Sequence, residues 1–137
     1  NFYVPGSDRF QYAGPLKPWV SMADVTGWDD LDLVGFPRAA DDGESIVLDG
    51  REVRARDLRF AQLPSVTLTS NVRSWRRWPI ESEAHWARSV QITTAEAKVL
   101  QGFPEDYPIR GWKTNRSLQI GNAMPPLLAR AVLQTLL

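Results

Sequence analysis

The sequence predicts an α+β fold, in which a small, mainly β unit is followed by a short capped helix and a longer apolar helix at the C-terminus. Three observations carry that expectation. An Asp49-Gly50 pair separates two β-prone runs, Thr93-Thr94-Ala95-Glu96 has the form of a helix capping box, and Pro125-Pro126 opens a stretch dominated by leucine, alanine and valine. At 137 residues the chain is long enough to bury one core without cross-links.

Residues 1 to 45 are rich in Pro, Gly and Asp, and their apolar positions are scattered rather than periodic. That pattern predicts extended segments and turns around one short helix, Ser21 to Gly27, capped by Ser21 with Asp24 in its first turn. From Ser45, the runs Ile46-Val47-Leu48 and Glu52-Val53-Arg54 flank Asp49-Gly50, a pair that tolerates the positive φ both centres of a tight hairpin need. A β-hairpin over residues 45 to 55 is expected. Val66 and Leu68 alternate with threonine and predict a further strand, Ser65 to Thr69. The capping box then starts a helix from Thr94 to Gln101, stopped by Gly102 and turned away at Phe103-Pro104.

The last helix starts near Pro125 and Pro126, because first-turn amides have no intrahelical partner for proline to remove. Leu127, Leu128, Ala131, Val132, Leu133, Leu136 and Leu137 cover most of its circumference, leaving Arg130, Gln134 and Thr135 polar. A helix apolar nearly all round needs cover on more than one side. It is either an ordinary core helix or one that docks onto a second domain or a partner chain.

The formal charge is zero, but it is unevenly spread. Residues 1 to 50 carry three basic residues against nine acids, and residues 51 to 78 carry seven arginines against two. Such asymmetry suggests a stripe that binds a polyanion. There is no cysteine, which excludes a disulfide framework, a thiolate metal site and a cysteine nucleophile within this chain. No apolar stretch is long enough to span a bilayer and the start lacks a signal peptide, so a soluble cytoplasmic protein with no membrane and no metal partner is expected. The chain opens with Asn1 rather than Met, which suggests a trimmed or processed product with missing upstream sequence.

Two strings carry chemistry: Leu100-Gln101-Gly102-Phe103-Pro104 and Gln119-Ile120-Gly121-Asn122-Ala123-Met124-Pro125-Pro126. In this order, and about fifteen residues apart, they resemble the last two conserved motifs of the cytosine-5 DNA methyltransferase family. The lead-in Ile92-Thr93-Thr94-Ala95-Glu96 is similar to the Leu-Thr-x-x-Glu that opens the penultimate motif. Upstream, Pro64 to Thr69 resembles the threonine-centred segment that family members hold near their base-reading loops, and a basic, aromatic cluster follows from Asn71 to Trp78.

The resemblance implies a target-recognition region over residues 1–89 and the two closing motifs over 90–137. Thr67, Leu68, Thr69, Arg73, Trp75, Arg76 and Arg77 are then the candidates for contact with double-stranded DNA. Arginine forks suit phosphate and guanine, and tryptophan can pack on sugars or unstacked bases. Trp75 and Trp78 suit a half-buried packing role equally well. In the family a cysteine thiolate attacks a flipped cytosine and a methyl group passes to C5 from S-adenosylmethionine. The final motif closes onto a Rossmann-like catalytic domain, which here would place Asn122, Ala123 and Met124 beside the cofactor, ahead of a helix N-terminus that favours its carboxylate.

The departures matter as much. The chain has no Phe-x-Gly-x-Gly loop, Pro-Cys pair or Glu-Asn-Val segment, and Val90 stands where the family usually has arginine. Catalytic residues are therefore expected on a separate catalytic domain or large subunit, making this chain a fragment or the small subunit of a split enzyme, inactive alone. The other readings are a non-catalytic DNA-binding module built on that scaffold, and an interaction protein resembling the family only in its last helix. Restriction-modification, orphan host methylation and phage self-protection all fit a bacterial or phage-encoded protein of this kind.

Overall fold

The structure, a computed structural model, describes residues 20–83 and 85–136. Its first helix, α1 (Met22–Thr26), carries the expected capping box: the Asp24 amide donates to Ser21 Oγ at 3.0 Å and the Ser21 amide to Asp24 Oδ2 at 2.9 Å. Gly27 ends it in the left-handed conformation. Next come β1 (Leu33–Gly35), the hairpin β2 (Ser45–Leu48) and β3 (Arg51–Arg54), a 3₁₀ turn at Ala55–Asp57, and β4 (Leu58–Phe60). A second 3₁₀ turn at Val72–Ser74 leads into β5 (Arg76–Trp78), β6 (Ile80–Ser82), β7 (His85–Trp86) and β8 (Val90–Gln91). Three helices close the described chain: α2 (Thr94–Leu100), α3 (Lys113–Asn122) and α4 (Pro126–Leu136). The architecture is α+β.

The central sheet is antiparallel with strand order β4-β1-β5-β8, and two hairpins, β2-β3 and β6-β7, flank it. Because strand side chains alternate, adjacent residues of β1 serve opposite faces. Val34 joins the larger core with Met22, Leu68, Trp75, Ile92, Ala97 and Ile120, while Leu33 joins Leu48, Val53 and Trp78 beneath the β2-β3 hairpin. The larger cluster draws residues from both sides of position 90, so the described residues before and after it share one interior.

At the tip of the β2-β3 hairpin, Asp49 and Gly50 both adopt positive φ, 53° and 72°, as the Asp-Gly pair requires. Asp49 also ties the hairpin to the sheet. Its carboxylate accepts from Trp78 Nε1 at 3.1 Å and from the Ser89 amide at 3.1 Å. Burial pushes the Asp49 carboxyl up, but the hydrogen bonds from Ser89 and Trp78 and the charge of Arg76 outweigh it and hold the group below the ordinary carboxylate value. A carboxyl more acidic folded than unfolded contributes its stability at neutral pH and loses it as pH falls below about 4. Melting temperatures of Asp49→Asn and the parent, measured from about pH 6 to about pH 3, should therefore converge towards the acid end. Asparagine tolerates the same backbone, so a gap that stays constant with pH would refute this role.

Three sequence expectations need correction. Ser65 to Thr69 is not a strand: Leu68 reaches into the core with no strand alongside, and the Thr69 carbonyl accepts from the Val72 amide at 3.0 Å to open the 3₁₀ turn. Lys113 to Arg116, a polar stretch whose sequence suggests an exposed linker loop, is instead the first turn of α3, closed by the Arg116 amide on the Trp112 carbonyl at 2.9 Å. Ser117 and Ile120 bury the narrow face that holds it. Finally, α4 is no core helix. None of its residues is buried, with Leu127 at 73% and Leu136 at 76% exposure.

Candidate functional site

The two closing strings and the threonine segment, distant in sequence, meet at the α3-α4 connection. The buried Gln101 side chain follows α2 and donates from Nε2 to the Ala123 carbonyl at 2.7 Å, joining one string to the other. Gly121 in α3 lies against the Thr69-Ser70 backbone so closely that a Cβ there would come within 2.5 Å of the Ser70 nitrogen. Between these segments runs a groove of about 430 Å³, lined by Val66, Thr67, Leu100, Gly102, Ala123 and Leu127 among others.

Of the three candidate cofactor residues, Asn122 is the last residue of α3, Ala123 caps it, and Met124 crosses to α4. Asn122 and Met124 are exposed, whereas Ala123 is half-buried and its carbonyl is taken by Gln101. Pro126 brings no amide to the start of α4, and the Ala129 amide closes the first turn on the Pro125 carbonyl at 2.9 Å. The amides of Leu127 and Leu128 stand before that first intrahelical bond and point towards the N-terminal end. An exposed amide side chain beside a helix N-terminus suits the carboxylate of an amino-acid moiety, so these residues fit one wall of such a pocket.

The basic cluster divides by face. Arg73 and Arg76 are exposed, and Arg76 NH1 donates to Ser89 Oγ at 3.2 Å. Gln91 bridges the Arg73 carbonyl, through its Nε2, and Lys113 Nζ, which lies 3.1 Å from its Oε1, bringing a third cation to this side. Trp112, next to Lys113, is 84% exposed. Arg77 faces the other way: it pairs with the buried Asp32 carboxylate at 2.7 Å and lies 5.4 Å from the Trp28 ring centroid. Trp75, 5% exposed, packs in the larger core and Trp78 in the smaller, so the choice between packing and stacking falls to packing for both. Of the threonine segment, Thr67 and Thr69 are exposed and Leu68 is buried.

Sequence reasoning missed three positioning groups. Asp32 anchors Arg77 and accepts from the Ile80 amide at 2.8 Å. Glu96 completes its own capping box and also accepts from Trp28 Nε1 at 3.1 Å, fixing α2 to the segment after α1. Lys98 donates to the Glu105 and Tyr107 carbonyls and shapes the loop after Phe103. Only Glu96 carried a sequence signal, its capping box, since the other partners lie in loops or far along the chain. Among the described residues no group of acids and histidines has the arrangement of a metal site, and no helix is long and apolar enough to cross a membrane.

The family model of the C-5 cytosine-specific DNA methylase matches residues 28–137. Type II methyltransferase M1.HphI of Haemophilus parahaemolyticus is 35% identical over 74 residues, 54% of this chain and 18% of that protein. Type II methyltransferase M.AplI of Arthrospira platensis is 44% identical over 45 residues, 33% of this chain and 13% of that protein. The match thus spans less than a fifth of either relative. No solved structure matches the chain.

Proposed function

The chain belongs to the C-5 cytosine-specific DNA methylase family, and from that premise we propose that it is the part of such an enzyme that grips the DNA duplex and completes the S-adenosylmethionine pocket. One observation carries the reading above the rest: α4 continues directly from the Gln119–Pro126 string and presents Leu127, Leu128, Leu133 and Leu136 to solvent. Unpaired apolar surface of that kind marks a docking face. A catalytic domain supplying the cofactor's other wall would cover it and bring Asn122 and Met124 against the bound methionine part.

When bound, S-adenosylmethionine supplies the methyl group for C5 of a cytosine flipped from the stack. This chain's residues have other tasks. Asn122 and the first amides of α4 hold the cofactor carboxylate, and the leucines of α4 exclude water from the seam. Arg73, Arg76 and Lys113 contact phosphates on one side of the duplex, with Thr67 and Thr69 beside the groove floor. Leu68, Trp75 and Arg77 keep that surface in place from within. The thiolate that attacks C6 belongs to the catalytic domain, since the chain has no cysteine. The two regions, 1–89 and 90–137, then differ in task, while their described residues share a core. A bacterial restriction-modification setting suits the Type II methyltransferases it resembles.

The test combines the chain with a family catalytic domain that carries the Pro-Cys motif and follows methyl transfer to duplex DNA. Transfer is expected only when both are present. Leu133→Asp, at an exposed position, should leave the chain folded, abolish association, and reduce transfer by about a hundredfold or more, since a charge cannot enter an apolar seam unpaired. If no catalytic domain restores transfer while the chain still binds duplex, the protein is a DNA-binding module without an enzymatic partner.

A further inference from the structure

Of the seven arginines between residues 51 and 78, three are neutralised within the chain, Arg54 and Arg56 by Asp41 and Arg77 by Asp32. Two of the others, Arg51 and Arg76, meet Arg88 around one open recess of about 680 Å³ between the β2-β3 hairpin, β5 and the segment leading into β8. All three are exposed, and among the described residues none forms an ion pair. Arg76 bonds the neutral Ser89 hydroxyl at 3.2 Å and so keeps its charge uncompensated.

Strand alternation explains why charge gathers here. Arg51 pairs across the hairpin with Leu48 and shares the inward face with Val53, whereas Glu52 points the other way and accepts from Ser45 Oγ. The recess therefore holds a single acid, Asp49, against three guanidiniums. Both Asp49 oxygens already accept hydrogen bonds, one from Trp78 Nε1 and one from the Ser89 amide. Those bonds clamp the hairpin to the sheet, and Arg51 and Arg88 stand on either side of the joint, two residues after Asp49 and one before Ser89. Like charges held together without a counter-charge repel one another, and a polyanion relieves that repulsion.

The recess also continues the basic face already described. Arg76 is paired across the sheet with Gln91, which reaches both Lys113 and the Arg73 carbonyl. We propose that the recess is a second backbone-binding site for the DNA duplex, in which Arg51 and Arg88 each take a phosphate and Arg76 joins them to the Arg73-Lys113 face. A guanidinium fork matches the phosphate oxygens, and the apolar floor of Leu48, Val53 and Trp78 strengthens the pairing by keeping the local dielectric low. The proposal rests on the DNA-gripping role assigned above and adds the β2-β3 hairpin to the surface that grips.

The test titrates duplexes of several sequences with the full chain over a series of salt concentrations, well below the melting temperature. Arg51→Ala with Arg88→Ala should weaken binding to every sequence, by about tenfold at low salt, and flatten the salt dependence by about two phosphates. Arg51→Lys with Arg88→Lys should keep the parent's salt slope, because the charges remain. Arg130→Ala, an equal loss of charge per site on the exposed helix α4, should leave the slope unchanged. The alanine pair should melt with the parent, since neither guanidinium has a hydrogen-bond or ion-pair partner among the described residues. A parental slope in the alanine pair, an equal flattening in Arg130→Ala, or a loss confined to one base position overturns the phosphate site. If Arg73→Ala with Arg76→Ala still weakens binding in that case, the wider reading stands. If the parent binds no duplex, both fall.

Discussion

Replacing Gly121 by alanine is expected to destabilise the protein by about 3 kcal/mol, lowering its melting temperature by roughly 10 °C. The sign is what makes the experiment decisive. Gly121 lies in the last turn of α3, where glycine is still intrinsically worse than alanine by at most about 1 kcal/mol, so helix propensity alone predicts a slightly more stable variant. The structure predicts the reverse, because the new methyl would press on the Ser70 nitrogen at 2.5 Å and more closely still on the Thr69 carbonyl. Those are backbone atoms that cannot rotate aside, and Thr69 also starts the turn that holds Val72. Thermal unfolding measures the outcome, and a rise in melting temperature would mean that α3 does not pack on the threonine segment. The same substitution should weaken duplex binding, since Thr67 and Thr69 would shift with the helix.

How much of this was legible in the sequence follows from where each element's determinants lie. The β2-β3 hairpin, α1 and α2 are specified by neighbours within four residues: Asp49-Gly50 in one, the reciprocal Ser21-Asp24 and Thr93-Glu96 bonds in the others. Local chemistry of that kind is readable without knowing the fold. β1 and β8, at three and two residues, have no such signature and exist because β4 and β5 pair with them. Ser65–Thr69 shows the converse error, an alternation that looks like a strand where only Leu68 turns inward. α3 was hidden by its polar first turn and by Gly121, whose purpose is visible only once Thr69 lies beside it. The site divides similarly. The two closing strings announced themselves, and their convergence through Gln101 and Ala123 follows from the fold. Which arginines face solvent did not, because adjacent strand residues point opposite ways and Arg77 finds a partner 45 residues upstream.

That partner sets the second large effect. Asp32, 1% exposed, receives Arg77 at 2.7 Å on one oxygen and the Ile80 amide at 2.8 Å on the other. Asp32→Ala should cost about 3–5 kcal/mol, because it strands a guanidinium and a backbone donor where water has little access. Arg77→Ala should cost less, since the guanidinium is partly exposed and the carboxylate keeps the Ile80 amide. The double variant should be more stable than the two separate losses imply, by about 1–3 kcal/mol in a double-mutant cycle. Simple additivity would mean that the two side chains do not interact. The cycle also separates scaffold from interface among three arginines that are neighbours in sequence. Measured well below its melting temperature, Arg77→Ala should bind duplex with nearly the parent's affinity and salt slope. Arg73→Ala with Arg76→Ala should lose much less stability than Asp32→Ala, through the exposed Arg76–Ser89 bond and the Arg76 charge near Asp49, yet bind more weakly, with a flatter slope, because their guanidiniums meet solvent rather than Asp32. A loss of binding in Arg77→Ala equal to that of the exposed pair would place Arg77 on the DNA and leave Asp32 without the role its geometry assigns.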